Sequence, residues 1–506
     1  MITIELTPYD EESSAVHKAA KKLGVKKEEL RIYKKSIDAR HKNNIKIIYS
    51  IGVKKEDETE YEKIETNKKV VVVGAGPAGL FCALYLCRHG IKPLIIERGD
   101  RIEERAKKVE TFITGGTLDE NSNVQFGEGG AGAFSDGKLN TGINNGLIGR
   151  VLNDFVDCGA PEDILYLNKP HIGSDKLKTT VVGLRKTIES LGGKFLPNTK
   201  VEDFNFSDNR IKSVLAGGCE IQADYLVLAI GHSARDTFSV LYEKGVLMES
   251  KEFAVGLRVE QLQEVIDEDR YGKFKKFKTL PPADYKLVSH LSERSVFTFC
   301  MCPGGVVIPA TSEPCSVVTN GMSNYLRNEI NANSAVIAQV KKGDFSSSHP
   351  LSGVEFQRML ERRAFLLGGS DYSAPSETCE DYIKGNLPKS LNGVYPTYRR
   401  GFNLVSLDKI FPASINESLK KGLCDMDGKI KGFASSGAVL TGVESRTSSP
   451  LRILRKENFE SVSHAGVYPC GEGCGYAGGI TSAAVDGVKV AESIFDSLKK
   501  EESNLF

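Results

Sequence analysis

The segment from Lys69 to Glu97 constrains the fold more than any other part of this 506-residue chain. Val70-Val71-Val72-Val73 reads as a buried strand, and Gly74-Ala75-Gly76-Pro77-Ala78-Gly79 as a tight turn. An apolar helix follows, and a second apolar run ends at Glu97. A strand–turn–helix–strand unit of this kind is built to take a dinucleotide. Gly74 permits the turn, Gly76 lets the backbone approach a pyrophosphate, and Gly79 lets the helix pack closely on the strand. The helix N-terminus faces the phosphate charge. Glu97 stands eighteen residues after Gly79, where a carboxylate accepts from a ribose hydroxyl pair. An acid there favours the unphosphorylated ribose of FAD or NAD. The rival reading is a membrane span, because Val70 to Cys87 is eighteen residues without a charge. Three glycines and Pro77 within six positions fit a turn, not the middle of a spanning helix.

The fold class expected is α/β: a discontinuous Rossmann-like domain, an inserted mixed α+β substrate domain and a small N-terminal α/β domain. Residues 1–65 form the N-terminal domain, with strands at Ile2 to Leu6, Leu30 to Ala39 and Ile45 to Val53 and a helix from Asp10 to Leu23. The charged run Lys54 to Lys69 reads as a linker. Residues 66–235 are the first part of the nucleotide domain, 236–439 the insert, and 440–506 the last part, closing on a helix from Ile480 to about Leu498. Within the first part, helices are expected at Leu147 to Cys158 and Gly183 to Leu191, and a buried strand at Tyr225 to Gly231.

A net charge of +1 supplies no global field for nucleic acid or a membrane surface. The N-terminus lacks the basic and apolar regions of a secretory signal. Eleven scattered cysteines suit a reducing cytosol better than a disulfide framework, so a cytoplasmic protein is expected. Eight histidines show no zinc spacing, and no metal site is expected. Between Lys18 and Lys46, eleven Lys or Arg stand against three acids. Two readings stand for that run: a solvated polar face, or a patch for RNA or another acidic partner.

Four more segments carry a resemblance. They are the glycine-rich loop Gly127 to Lys138, the stretch Ala229-Ile230-Gly231-His232-Ser233-Ala234-Arg235-Asp236, Gly442-Val443-Glu444-Ser445-Arg446-Thr447-Ser448, and Gly471 to Gly487. With the Gly74 turn, they resemble the FAD-binding fold shared by glutathione reductase and p-hydroxybenzoate hydroxylase. More closely, the chain is similar to a group of bacterial FAD-dependent dehydrogenases or oxidoreductases of unassigned substrate. The resemblance implies FAD as cofactor, with Gly74, Ala75, Gly76, Pro77, Ala78 and Gly79 at its pyrophosphate. Glu97, beside Arg98, would hold the adenosine ribose, and Val201 would lie near the adenine. Ala229 and Gly231 would flank the cofactor, and Gly129, Gly130 and Ser135 would run beside the isoalloxazine. Glu472, after Gly471, takes the place of the usual aspartate at the ribityl chain. Ile480 would begin the helix whose amides face the pyrimidine edge.

The chemistry is less well marked. No second Gly-x-Gly-x-x-Gly appears between 200 and 440. A nicotinamide donor would therefore visit the flavin face directly, or electrons would come from a protein. Cys82 and Cys87 imitate a redox pair, but one helix sets them roughly 140° apart around its axis, so both are assigned to packing. For Cys300-Met301-Cys302 no mutual bridge is expected, while either thiol is a candidate to line a substrate pocket. Glu444, Arg446 and Lys138 are the candidate catalytic groups. Arg446 could clamp a substrate carboxylate and Glu444 serve as acid or base; an ion pair at a domain junction is the equal alternative. His232 reads as a structural hydrogen bond or a polarising group. Together these point to an FAD-dependent oxidoreductase passing hydride or electrons through flavin N5 to or from a small organic substrate. The alternative is a flavoprotein that binds or modifies RNA through its N-terminal module.

Overall fold

The computed structural model describes residues 1–54 and 60–503. At its centre is a five-stranded parallel sheet in the order Val467–Pro469, Tyr225–Leu228, Val70–Val73, Leu94–Ile96, Lys194–Leu196. Val70–Val73 and Tyr225–Leu228 are buried at every residue. Such unbroken apolar runs are what a parallel sheet covered on both faces requires. The helix Pro77–Arg88 is buried continuously from Ala78 to Cys87, because it lies between that sheet and the last helix, Ile480–Ser503. Gly79 makes this approach possible: a methyl group built there would sit 1.9 Å from the Gly74 carbonyl oxygen. Cys82 and Cys87 are free and buried in this helix. Burial pushes both thiols up, Cys87 to about 12, so they pack, as the sequence suggests.

The insert is organised by a seven-stranded sheet, ordered Val288–Ser289, Val296–Cys302, Asn331–Val340, Phe253–Leu262, Val439–Glu444, Ala374–Thr378, Phe402–Leu404. Its neighbours are antiparallel except the last pair. Val439–Glu444 is an interior strand of this sheet, so the sheet runs through the expected 439/440 boundary. Glu444 thus stands where the insert meets the nucleotide fold.

The N-terminal module is an antiparallel sheet, ordered Ile2–Leu6, Lys46–Val53, Leu30–Asp38, backed by the helix Glu12–Leu23. It shares a core with the insert, Ile4, Leu6, Ile47 and Tyr49 joining Phe274 in one buried cluster; at its edge the exposed Tyr9 meets Phe274 and Phe277 edge-on at 5.8 and 4.7 Å. Four cations of its basic run have acidic partners: Lys35 with Glu12 at 2.5 Å, Lys46 with Glu5 at 2.7 Å, Arg40 with Asp38 at 2.6 Å and Lys42 with Asp269 at 3.2 Å. Of the expected linker, 55–59 lie outside the described residues; 60–69 carry no helix or strand. The helix expected at Gly183 to Leu191 is the second half of a longer one, Ser174–Ser190. Its Lys- and Thr-rich first half masks the apolar stripe. Among the described residues, no helix is long and apolar enough to cross a membrane.

Candidate active site

The C-terminal ends of the parallel strands open into one cavity, as expected for a doubly wound sheet. Gly74, Glu97, Ala229 with Gly231, and Glu472 follow four of those strands and line it. The glycine-rich loop adds Gly130, Gly132 and Ser135, and the insert adds Phe299, Cys300, Asn320, Glu444 and Arg446.

The residues present fit FAD. The helix Pro77–Arg88 begins at Gly76 with no side-chain cap, leaving first-turn amides for phosphate oxygens. Gly130 faces Gly76 across that turn. Its φ is +62° and a methyl there would lie 3.0 Å from the Gly76 Cα, so both walls of the cradle must be bare backbone. At Gly231, Gly478 and Gly479 a methyl would meet nothing within 4 Å, and Gly231, Gly478 and Gly479 all border the cavity. Ile480, at the N-terminus of the last helix, borders it too.

Glu97 is buried, and its carboxylate accepts the amides of Ala75 at 2.8 Å and of Gly99 and Gly127 at 2.9 Å each. A carboxylate offers about four acceptor positions, so one remains toward the cavity. Val201 is buried beside Thr199 and Lys200 in the same wall. Arg98 lines the cavity, but its guanidinium pairs with Asp236 at 2.8 and 3.1 Å and lies 4.1 Å over the Phe126 ring. The Ser135 hydroxyl donates to Gly132 O at 2.7 Å and accepts the Gly137 amide at 3.0 Å, which folds the loop on itself. Gly74, Pro77 and Ala78 also border the cavity, whereas Ala75, Gly79, Gly129 and Gly471 sit behind its wall. Gly129 donates to Ala75 O at 2.8 Å, and the Gly471 amide donates to Asp486 at 2.7 Å. These four hold the cradle together from outside.

The three candidate catalytic groups all line the cavity, each already engaged. Glu444 accepts Arg258 at 2.8 and 3.0 Å. Arg446 spends Nε and Nη2 on Glu361 at 3.0 and 2.9 Å, and Nη1 on Ser233 and Ser312 at 3.0 and 2.5 Å. A free bidentate clamp is therefore absent in this arrangement. Arg446 instead anchors Glu361, which also accepts Arg235 at 2.7 and 2.9 Å. The Glu444–Arg446 pair offered as an alternative does not form among these bonds; each residue has its own buried partner. Lys138 pairs with Asp136 at 2.8 Å and donates to Met301 O. Asp136 also receives Arg327 at 2.8 and 2.5 Å, and these cations hold its carboxyl at about 2 against desolvation.

Two groups titrate unusually. Burial pushes the Glu472 carboxyl up to about 7, offset in part by Lys251. His232 is pushed down to about 3 by burial and by the Arg446 and Arg235 charges, so its ring is neutral near pH 7. Its Nδ1 lies 3.1 Å from Ser233 Oγ, the structural bond anticipated for it. Cys300 and Cys302 depart from expectation. Residues two apart share a face in a regular strand; here a bulge intervenes, and the Cys302 thiol donates to the Cys300 carbonyl oxygen at 3.4 Å. Sequence reasoning also passed over Arg235, Arg258, Glu361 and Arg105. Arg105 is fully buried and donates to the carbonyls of Asn123, Val124, Gly127 and Glu128, fixing the glycine-rich loop. Only Arg258, in the largely apolar run Phe253–Leu262, offered a signal; the partners of all four are distant in sequence.

Comparison with known proteins agrees with this geometry. Residues 252–447 match a family described as FAD-dependent protein, C-terminal domain-like, and residues 67–111 match an FAD binding domain. Residues 1–54 match a domain of unknown function. A Clostridium beijerinckii protein, named only as uncharacterized, is 44% identical over 520 residues, covering 97% of this chain and 98% of its own. The chain belongs to the FAD-dependent protein family. Protein FixC of Salmonella typhimurium is 29% identical over 211 residues, 40% of this chain and 45% of its own. A crystal structure of CtdE in complex with FAD is 12% identical with a TM-score of 0.34, covering 85% of this chain and 84% of that one. The FAD-binding match over 67–111 and the FAD-dependent match over 252–447 make FAD the cofactor of this family.

Proposed function

We propose that this family member moves two electrons, as hydride or singly, between FAD and a small organic molecule bound where the insert meets the nucleotide fold. The observation that carries this reading is one cavity bordered by two helix N-termini, at Pro77 and Ile480, and spanned by the ends of parallel strands. In it, Gly76 and Ala78 would take the pyrophosphate, Glu97 the adenosine ribose and Val201 the adenine. Glu472 would meet the ribityl chain, and the helix at Ile480 the pyrimidine edge, where its dipole favours negative charge. When bound, the flavin supplies the electron transfer at N5; the protein binds, orients and tunes.

The residues of the insert enclose the remaining space. Phe299, Cys300 and Asn320 line part of it. Arg258 pairs with Glu444 at the cavity wall, and Glu361 fixes the Arg446 guanidinium in one orientation there. Glu472, with its carboxyl at about 7, is a group in this wall able to hold or release a proton near neutrality. The eleven free thiols suit a reducing, cytoplasmic setting. Electrons would come from a nicotinamide visiting the cavity or from a protein donor. Anaerobic mixing of FAD-loaded protein with NADH and NADPH separates these: bleaching of the flavin band by one of them identifies a nicotinamide donor. A band that no nicotinamide, small organic reductant or reduced ferredoxin bleaches would overturn the redox reading.

A further inference from the structure

The strand Val296–Cys302 becomes irregular where it reaches the cavity. Its pairing with Asn331–Val340 slips between Phe299 and Cys302, so that three steps on one strand match two on the other. One extra residue is thereby accommodated. Cys300 takes it up with a φ of +45°, in the left-handed region that a cysteine rarely enters. The distortion turns Phe299 and Cys300 together toward the cavity, while Met301 enters the core of the insert. Strained backbone of this kind persists where the surroundings impose it, and it concentrates at functional sites.

Cys302 lies directly behind Cys300. It is fully buried, and its S–H donates to the Cys300 carbonyl oxygen at 3.4 Å. Two cations converge on this bulge. Lys138 donates to the carbonyl of Met301, between the two cysteines, and Arg258 donates to the carbonyl of Cys300 at 3.1 Å. The consequence is an asymmetric pair. The Cys302 S–H, Lys138 and Arg258 bring the Cys300 thiol down to about 6, whereas Cys302, next to that charge and buried, is pushed up. Cys82, Cys87 and Cys470, in apolar surroundings, are all pushed up instead. A thiolate on the cavity side with a protonated thiol behind it is the arrangement that thiol–disulfide chemistry uses.

We propose that Cys300 and Cys302 are a redox-active pair that exchanges two electrons with the flavin. The inference rests on the reading above, in which the ribityl chain meets Glu472 and the flavin ring lies beyond it at this end of the cavity. In the oxidising direction the Cys300 thiolate and the Cys302 thiol form one S–S bond. One S–H bond breaks, and its proton and two electrons pass to the oxidised flavin, which becomes the reduced anion. The reverse step reduces the disulfide. Cys300, as the sulfur on the cavity wall, is the one an external thiol or disulfide would meet.

The test is a reductive titration of the full-length, FAD-loaded protein. Exposed Cys219, Cys315 and Cys424 are first replaced by serine to remove adventitious cross-links. The protein is then oxidised with diamide, freed of it, and titrated anaerobically with dithionite. Four electrons per bound FAD are expected, falling to two in Cys300→Ser and in Cys302→Ser. The oxidised parent should also yield a peptide spanning Cys300 and Cys302 that resists alkylation and is two hydrogens lighter. Two electrons per FAD in the parent, with both thiols alkylated, would overturn the proposal. A protein that takes up no FAD would instead defeat the flavin reading, and this pair's role with it. Should Cys300→Ser not fold, the peptide mass and Cys302→Ser decide.

Discussion

Replacing Glu361 by glutamine should destabilise the protein far more than the loss of one surface ion pair would. Glu361 is wholly buried and accepts five hydrogen bonds: from Arg235 at 2.7 and 2.9 Å, from Arg446 at 2.9 and 3.0 Å, and from Ser445 at 2.7 Å. These two guanidinium groups hold its carboxyl well below the usual carboxylate range, against the opposing effect of burial. Glutamine keeps the shape but removes the charge and turns an NH2 toward a guanidinium. Arg235 retains Glu313 at 2.5 Å, but Arg446 is left with Glu313 only at 4.0 Å. Removing one partner of a buried ion pair costs about 3–5 kcal/mol, and the shared Glu313 argues for the lower end. Because the folded carboxyl is depressed, its contribution is present above the ordinary value of 4.5 and is lost as pH falls below it. Thermal unfolding of wild type and Glu361→Gln, followed by circular dichroism at pH 7 and again at pH 4 and below, should show a gap that narrows on acidification. Glu361→Gln combined with Arg446→Gln should be less damaging than the sum of the single changes. Equal unfolding temperatures at pH 7 would refute the claim that this carboxylate neutralises two buried cations.

Other outcomes follow from the same geometry. Gly79→Ala places a methyl 1.9 Å from a backbone carbonyl oxygen; the helix must separate from its strand, and expression in soluble, cooperatively folding form should fall sharply. Glu472→Gln should flatten the pH dependence of stability in the flavin-free protein. With the folded carboxyl raised from 4.5 to about 7, the native state binds the extra proton, so wild type loses stability as pH rises across that window and the variant does not; parallel unfolding curves would refute this. Arg105→Met should loosen the loop carrying Gly127 and Gly130, read as faster amide exchange across 123–130, because four carbonyls lose their donor.

The nucleotide half of the molecule was legible because its chemistry is local. Gly74 to Gly79, the buried valines and Glu97 lie within one short stretch, and Gly74 and Gly79 answer steric demands of neighbouring backbone. The insert was not legible in the same way. Glu361, Arg235 and Arg446 form one cluster from three distant segments, and a lone Glu or Arg in a polar helix looks solvated. Glu444 and Arg446, singled out as catalytic candidates, border the cavity, but their partners Arg258 and Glu361 decide what they do, and pairings 186 and 85 positions apart leave no periodic trace. A regular strand already sets Cys300 and Cys302 on one face, but the bulge and the left-handed residue that shape their setting cannot be read from the sequence.

The most direct measurement is the binding of FAD to wild type and to Gly76→Ala by equilibrium dialysis. A methyl at Gly76 meets no protein atom closer than 3.8 Å, and the backbone there is extended rather than left-handed, so the variant should fold with unchanged stability. If the pyrophosphate lies against that backbone, wild type takes up one FAD per chain and Gly76→Ala loses affinity by at least tenfold, about 1.4 kcal/mol. Equal affinity in the two proteins, or no uptake by wild type, would contradict the account.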